Sequence, residues 1–202
     1  MKVSARVRKK LENIVQLKTE LENWKELSEA DVLKSLKGFE KTPRDEGSTA
    51  YSEHLSDPRF AEVLLDIASE YDVNTRISIL TVSALGNMIE RYGLPESKRI
   101  YDFFVSNSRR KGVSAYVAMF LTELKAFEDY ADDWDYILSI RDMKPSKVAT
   151  LQFRAIVESR KGDIPGQYRS LVIDHFLEAA QKANSESGRN HFLSIANELK
   201  GR

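Results

Sequence analysis

The chain has 202 residues, enough to bury one core of ordinary size, and its 42% hydrophobic, 31% charged composition with few Gly and Pro is that of a globular, helix-rich protein rather than a disordered one. Basic and acidic residues balance at 31 each, so no overall field draws the chain to nucleic acid or to an anionic membrane, and any such binding needs a local patch. The absence of Cys excludes disulfides, thiol nucleophiles and Cys-ligated zinc or iron–sulfur centres.

The opening MKVSARVRKK runs directly into the charged LENIVQLKTELENW, without the continuous apolar region of a secretory signal. No stretch approaches the roughly 18 apolar residues of a membrane span, so no membrane partner and a cytoplasmic location are expected. From about Ser4 to Leu27, Val7, Leu11, Ile14, Leu21 and Trp24 recur at helical spacing. Ser28, with Asp31 three residues on, is a predicted N-cap for a shorter helix carrying Val32, Leu33, Leu36 and Phe39. Residues 1–41 thus form an N-terminal helical pair. Thr42 to Ser56 then loses the apolar period and reads as a long loop.

Beyond it the punctuation is regular. Asp57-Pro58 marks a helix start, Asn74 caps the next helix and Gly93 ends it; Pro95 opens another, closing on Arg109, Arg110 and Lys111. Val113 to Phe127 is its expected partner. Asp132 or Asp133, then Pro145-Ser146, start the following two, Pro165 a further one, and the last runs from about Glu186 to Lys200. Pairs therefore begin near residues 58, 95, 132 and 165, a step of roughly 33 to 38 residues that predicts stacked helical hairpins. The second helices share an i, i+3, i+7 apolar set: Ile77/Leu80/Ala84, Val117/Phe120/Leu124, Val148/Leu151/Ala155 and Phe192/Ile195/Leu199.

The helix from Asn74 to Gly93 is informative by excess. On a wheel its apolar residues, Leu80 and Val82 among them, cover roughly 200°, about twice what one buried face requires. Such a helix must be covered by its partner and by neighbouring pairs as well. Gly86, near the edge of the arc, would admit a close neighbour. Arg76, Ser83, Asn87 and Glu90 form the remaining strip. Asp72-Val73-Asn74-Thr75-Arg76 followed by Ala84-Leu85-Gly86 resembles the second helix of a HEAT repeat, covering one repeat; the other pairs rest on spacing. The resemblance implies an all-α, right-handed α-solenoid of about four hairpins within a single domain over 1–202. It also implies a binding scaffold, a minority of such proteins acting on nucleic acid as alkylpurine DNA glycosylases do.

Candidate chemistry is sparse. His175 with Glu178 one turn on, and His191, could bring metal ligands together, but two His at unrelated spacing are equally a partly buried and a surface residue, and His54 falls in the loop. No nucleophile elbow or phosphate-binding glycine loop occurs, so no catalytic residue, metal or cofactor is assigned. The run Glu128 to Tyr136 holds five acids and three aromatics. Its acids suit a helix start with Trp134 packed inward. Alternatively, Tyr130, Asp133 and Trp134 form an anionic aromatic face for a basic partner, or an Asp beside a base-stacking Trp serves a glycosylase. Arg6, Arg8, Lys9 and Lys10 crowd a helix start, where the dipole disfavours them.

The expected inner strip mixes signs, with Arg76, Glu90, Tyr116, Glu123, Tyr130, Lys147, Arg154 and Glu198, which fits a protein surface better than a polyanion. The expectation is therefore a non-enzymatic protein-binding module, an inhibitor, immunity protein or adaptor for a basic protein, contacting it through Arg76, Asn87, Glu90, Tyr116, Glu123, Tyr130, Asp133 and Trp134. The alternative is a nucleic-acid-binding HEAT-like protein using Arg76, Lys147 and Arg154.

Overall fold

The structure, a computed structural model, describes residues 4–130 and 132–201. Among them every regular element is helical, and the fold is all-α. Short-range capping explains most boundaries. In α1 (Ala5–Glu22) the Ser4 hydroxyl accepts from the Val7 N–H, and in α2 (Glu29–Asp45) Ser28 accepts from Asp31. Between them lies one 3₁₀ turn, Trp24–Glu26. The two helices pack together through Ile14, Leu21, Val32, Leu36 and Phe39, all fully buried.

The expected loop from Thr42 to Ser56 is corrected. Helix α2 continues through Pro43 to Asp45, and after a three-residue link come a 3₁₀ turn (Thr49–Tyr51) and α3 (Ser52–Leu55). Two apolar anchors four residues apart, Tyr51 and Leu55, are buried and hold this polar stretch down. The Arg91 guanidinium donates to the Pro43 carbonyl at 3.1 Å, and the Tyr92 hydroxyl donates to that of Glu46. Burial of two side chains and satisfaction of the backbone, not local periodicity, order the segment.

In α4 (Pro58–Glu70) Asp57 caps with proline at the first position. The same carboxylate receives the largely buried Lys18 ammonium at 2.7 Å, which ties α1 to α4. Helix α5 (Thr75–Tyr92) is capped by Asn74, whose Oδ1 accepts from Arg76 and Ile77. It ends at Gly93 in the left-handed region (φ 73°), with the Leu94 N–H bonded back to the Met88 carbonyl at 3.0 Å. As expected, α5 is covered almost all round. Leu80 is 4% and Val82 0% exposed, with α2 and α7 packed along it and α4 alongside. The close approach predicted at Gly86 is made by the Phe120 ring of α7.

Two helix boundaries, one cap and one core set differ from expectation. Helix α6 (Lys98–Asn107) starts at a Ser97 cap rather than at Pro95. Helix α7 (Ser114–Leu121) stops short of Phe127; a 3₁₀ turn, Lys125–Asp129, follows, and the Glu96 carboxylate takes its first N–H, that of Lys125, at 3.0 Å. At α8 (Asp133–Ser139) neither Asp132 nor Asp133 caps through its side chain to a later turn; Asp132 sits at φ 58°. In α9 (Ser146–Ser159) the core set is Ala149, Phe153, Ile156 and Val157. The i, i+3, i+7 assignment is wrong there: Leu151 is 59% exposed. Helices α10 (Gly166–Gln181) and α11 (Glu186–Lys200) form a final close pair. Contacts also run α2 to α5, α5 to α7 and α7 to α9, so these four helices lie side by side in one row.

Candidate functional site

That row leaves a groove of about 390 Å³ along its surface, where α2, α5, α7 and α9 each contribute side chains. Its walls are apolar: Ile79 and Leu80 from α5, Met119 and Phe120 from α7, Val148 and Leu151 from α9. Met119 is 37% exposed, and it and Leu151 are two of the few large apolar side chains open to solvent among the described residues. A helix that satisfies its core with Ala149, Phe153, Ile156 and Val157 has no internal use for Leu151, so its exposure is a cost the fold does not require.

The polar groups of the groove divide into engaged and free. Glu40 of α2 is buried; the Arg44 guanidinium donates to both its carboxylate oxygens at 3.0 Å and the Ser83 hydroxyl at 2.6 Å. Arg44 also grips Asp45 at 2.8 Å, which holds its guanidinium more firmly charged and the Asp45 carboxyl below the usual range. By contrast Arg76, exposed at the start of α5, has no side-chain hydrogen bond or ion pair among the described residues, and neither do Tyr116 and Gln152. All three are donors. The groove therefore presents apolar walls, a floor in which Glu40 is held by Arg44 and Ser83, and donors still open on its rim.

Of the expected contact residues, the structure brings Arg76 and Tyr116 together in this groove. Glu90 and Glu123 are exposed but do not line it. Asn87 is corrected: only 9% exposed, its amide donates to the Ser83 carbonyl one turn back at 2.8 Å, which satisfies it inside the fold. The acidic aromatic run is open in part: Glu128, Asp129, Asp132 and Asp135 are exposed, whereas Trp134 is buried. Trp134 is 5% exposed beneath Arg160, whose guanidinium is 5.6 Å from its ring and 2.8 Å from Asp133. Tyr130 stacks on Phe127 at 5.1 Å and flanks buried Tyr136, and Asp135 accepts from the Tyr168 hydroxyl. Of the five acids, Asp133 is ion-paired by Arg160 and Asp135 is hydrogen-bonded by Tyr168. Arg154 of the nucleic-acid reading lies over Phe192 at 4.5 Å, and Glu198 pairs with Lys161 at 2.6 Å.

No family model matches the chain, and neither a curated protein nor a solved structure matches it significantly.

The histidines do not converge. His191 faces Glu158 at 3.2 Å, whereas His175 stands edge-on to Phe153 at 4.7 Å, where burial, with Arg154 and Arg141 nearby, pushes its pKa down to about 4. Among the described residues no three His, Asp or Glu side chains are arranged to hold a metal ion. A larger cleft, about 760 Å³, lies between α1 and α2, but its lining mixes Lys10, Lys34 and Lys41 with Glu20 and Asp31 and offers no coherent chemistry. Sequence reading missed Met119 and Leu151, having counted Leu151 with the core. The signal available was that Leu151 falls off the arc of Phe153, Ile156 and Val157.

Proposed function

We propose that the protein is a non-enzymatic recognition module that binds another protein along the groove of α2, α5, α7 and α9. The observation that carries this reading is the exposure of Met119 and Leu151 within one concavity beside unengaged Arg76 and Tyr116. Apolar anchors with a polar rim are the usual composition of a protein-binding patch. The side-by-side row of α2, α5, α7 and α9 supports a solenoid of helical hairpins resembling HEAT repeats, preceded by the α1–α2 pair, and we take its hand to be right-handed and this row to be its ligand-facing side.

Nucleic acid is the weaker alternative. Phosphate contacts need several cations on one continuous face. Arg44 is engaged by Glu40 and Asp45, and Arg154 by Phe192, while the walls between are aliphatic. The adaptor, inhibitor and immunity roles all rest on the same groove. The test is capture from the native source with wild-type protein and with Leu151→Asp as bait, circular dichroism confirming that both are folded. The proposal expects a protein held by the wild type and lost from Leu151→Asp; identical recovery on both baits removes it.

A further inference from the structure

Arg76 is the one charged side chain lining the groove that has no partner among the described residues. The groove's only carboxylate, Glu40, is buried under two hydrogen bonds from Arg44 and one from Ser83, so an incoming ammonium could reach it only by displacing them. What stands open is the Arg76 guanidinium, the Tyr116 hydroxyl and the Gln152 amide on the rim. Lys147, exposed and without an ion pair among the described residues, precedes Leu151 by one turn of α9 and therefore lies on the same side of that helix. A guanidinium with no partner of its own is a ready carboxylate receptor, since its fork matches both oxygens.

Resting on the protein-recognition reading above, we infer that the groove binds an acidic, apolar-anchored peptide segment of its partner. One or two aliphatic or aromatic side chains lie between Met119 and Leu151, and an Asp or Glu carboxylate is received by Arg76 with Tyr116 beside it. Helices packed about 8–10 Å apart make the span from α5 to α9 roughly 20 Å, which about six extended residues or about thirteen helical ones cross. A segment of that length presents two or three anchors at the right separation. This partner is opposite in charge to the one that the acids of Glu128–Tyr136 point to, because Asp133 is already neutralised by Arg160 whereas Arg76 is not.

A random dodecapeptide library displayed on phage, selected on full-length wild-type protein and counter-selected on Leu151→Asp, tests the inference. Recovered peptides are labelled and titrated by fluorescence anisotropy. The expected peptides combine Asp or Glu with Leu, Ile or Phe, bind wild type, and weaken roughly tenfold or more on Arg76→Glu, as loss of a charge-assisted contact requires. Changing the peptide's acid to Lys should restore part of the affinity for Arg76→Glu. Leu151-dependent peptides that are basic, or indifferent to Arg76→Glu, overturn the inference and leave groove recognition standing. Recovery of no Leu151-dependent peptide, or tight Arg76-dependent binding of a short DNA duplex instead, overturns both.

Discussion

Gly86→Ala probes the packing on which the groove is built. A Cβ placed on Gly86 would stand 2.2 Å from Cγ of Phe120 and 2.3 and 2.4 Å from its two Cδ atoms. Carbon atoms in contact sit about 3.5–4.0 Å apart, so more than ~1 Å must be recovered. Rotating the Phe120 ring does not recover it, because Cγ lies on the axis of that rotation, and a change of rotamer would take a buried ring out of its packed place. Helix α7 has to back away from α5. Overpacking of this kind costs about 1–3 kcal/mol, and contact with the inner ring atoms of a buried side chain places it at the upper end. Alanine's better helix propensity offsets about 1 kcal/mol, giving a net loss of ~2 kcal/mol. For a chain of this size that corresponds to a fall of about 4–8 °C in Tm. Urea and thermal unfolding followed by circular dichroism read it directly. Phe120→Ala alone should cost about 3–5 kcal/mol, and combining it with Gly86→Ala should cost less than the sum, since the new methyl enters the space the ring leaves. A Gly86→Ala protein as stable as wild type, or more so, would show propensity acting alone and refute the close approach of α5 and α7.

Glu40→Ala should destabilise by about 1–3 kcal/mol, because it removes the carboxylate that joins α2 to Ser83 of α5 and releases Arg44, while Glu40→Gln, which keeps the Ser83 bond, should lose less; equal urea midpoints for wild type and Glu40→Ala would dismiss the tie. His175 gives a pH signature. Its folded pKa of about 4 lies below the ordinary 6.5, so the unfolded chain binds the proton more readily between those values. Its contribution is complete above about pH 6.5 and is lost as pH falls towards 4. The unfolding free energy of wild type should therefore decline from pH 7 to pH 5 more steeply than that of His175→Leu, and parallel curves would place the imidazole in solvent.

What could be read from the chain was local. Ser28, Asp57, Asn74 and Gly93 terminate helices by bonds reaching one turn, so each was visible in a few letters. The excess of apolar surface on α5 was visible too, because total coverage does not depend on knowing the neighbour. Failures came where a distant group decided the outcome. Glu96 caps the 3₁₀ turn after α7 from 29 positions away, and the anchors Tyr51 and Leu55 order a stretch whose composition is that of a loop. For the site, Arg76 was expected on the strip that the apolar arc of α5 leaves over, and Tyr116 at the matching position of the next pair; both line the groove. Asn87 passed the same test and is buried, because the carbonyl that satisfies it belongs to its own helix. Trp134 was ambiguous until Arg160 closed over it.

The balance of 31 basic and 31 acidic residues concealed the sign of the groove, because cancellation in a folded chain is local. Lys18 with Asp57, Arg44 with Glu40, Arg160 with Asp133 and Lys161 with Glu198 neutralise one another within ion-pair distance, and beyond about 10 Å in salt such pairs contribute little field. Among the cations lining the groove, Arg44 is matched by pairing and Arg76 holds the unmatched place. Arg76 occupies that place because it sits at the first turn of a helix otherwise wrapped on nearly every side. The same burial that forces α5 inward leaves Arg76 exposed at its N-terminal end, in the groove whose apolar walls α7 and α9 help to form.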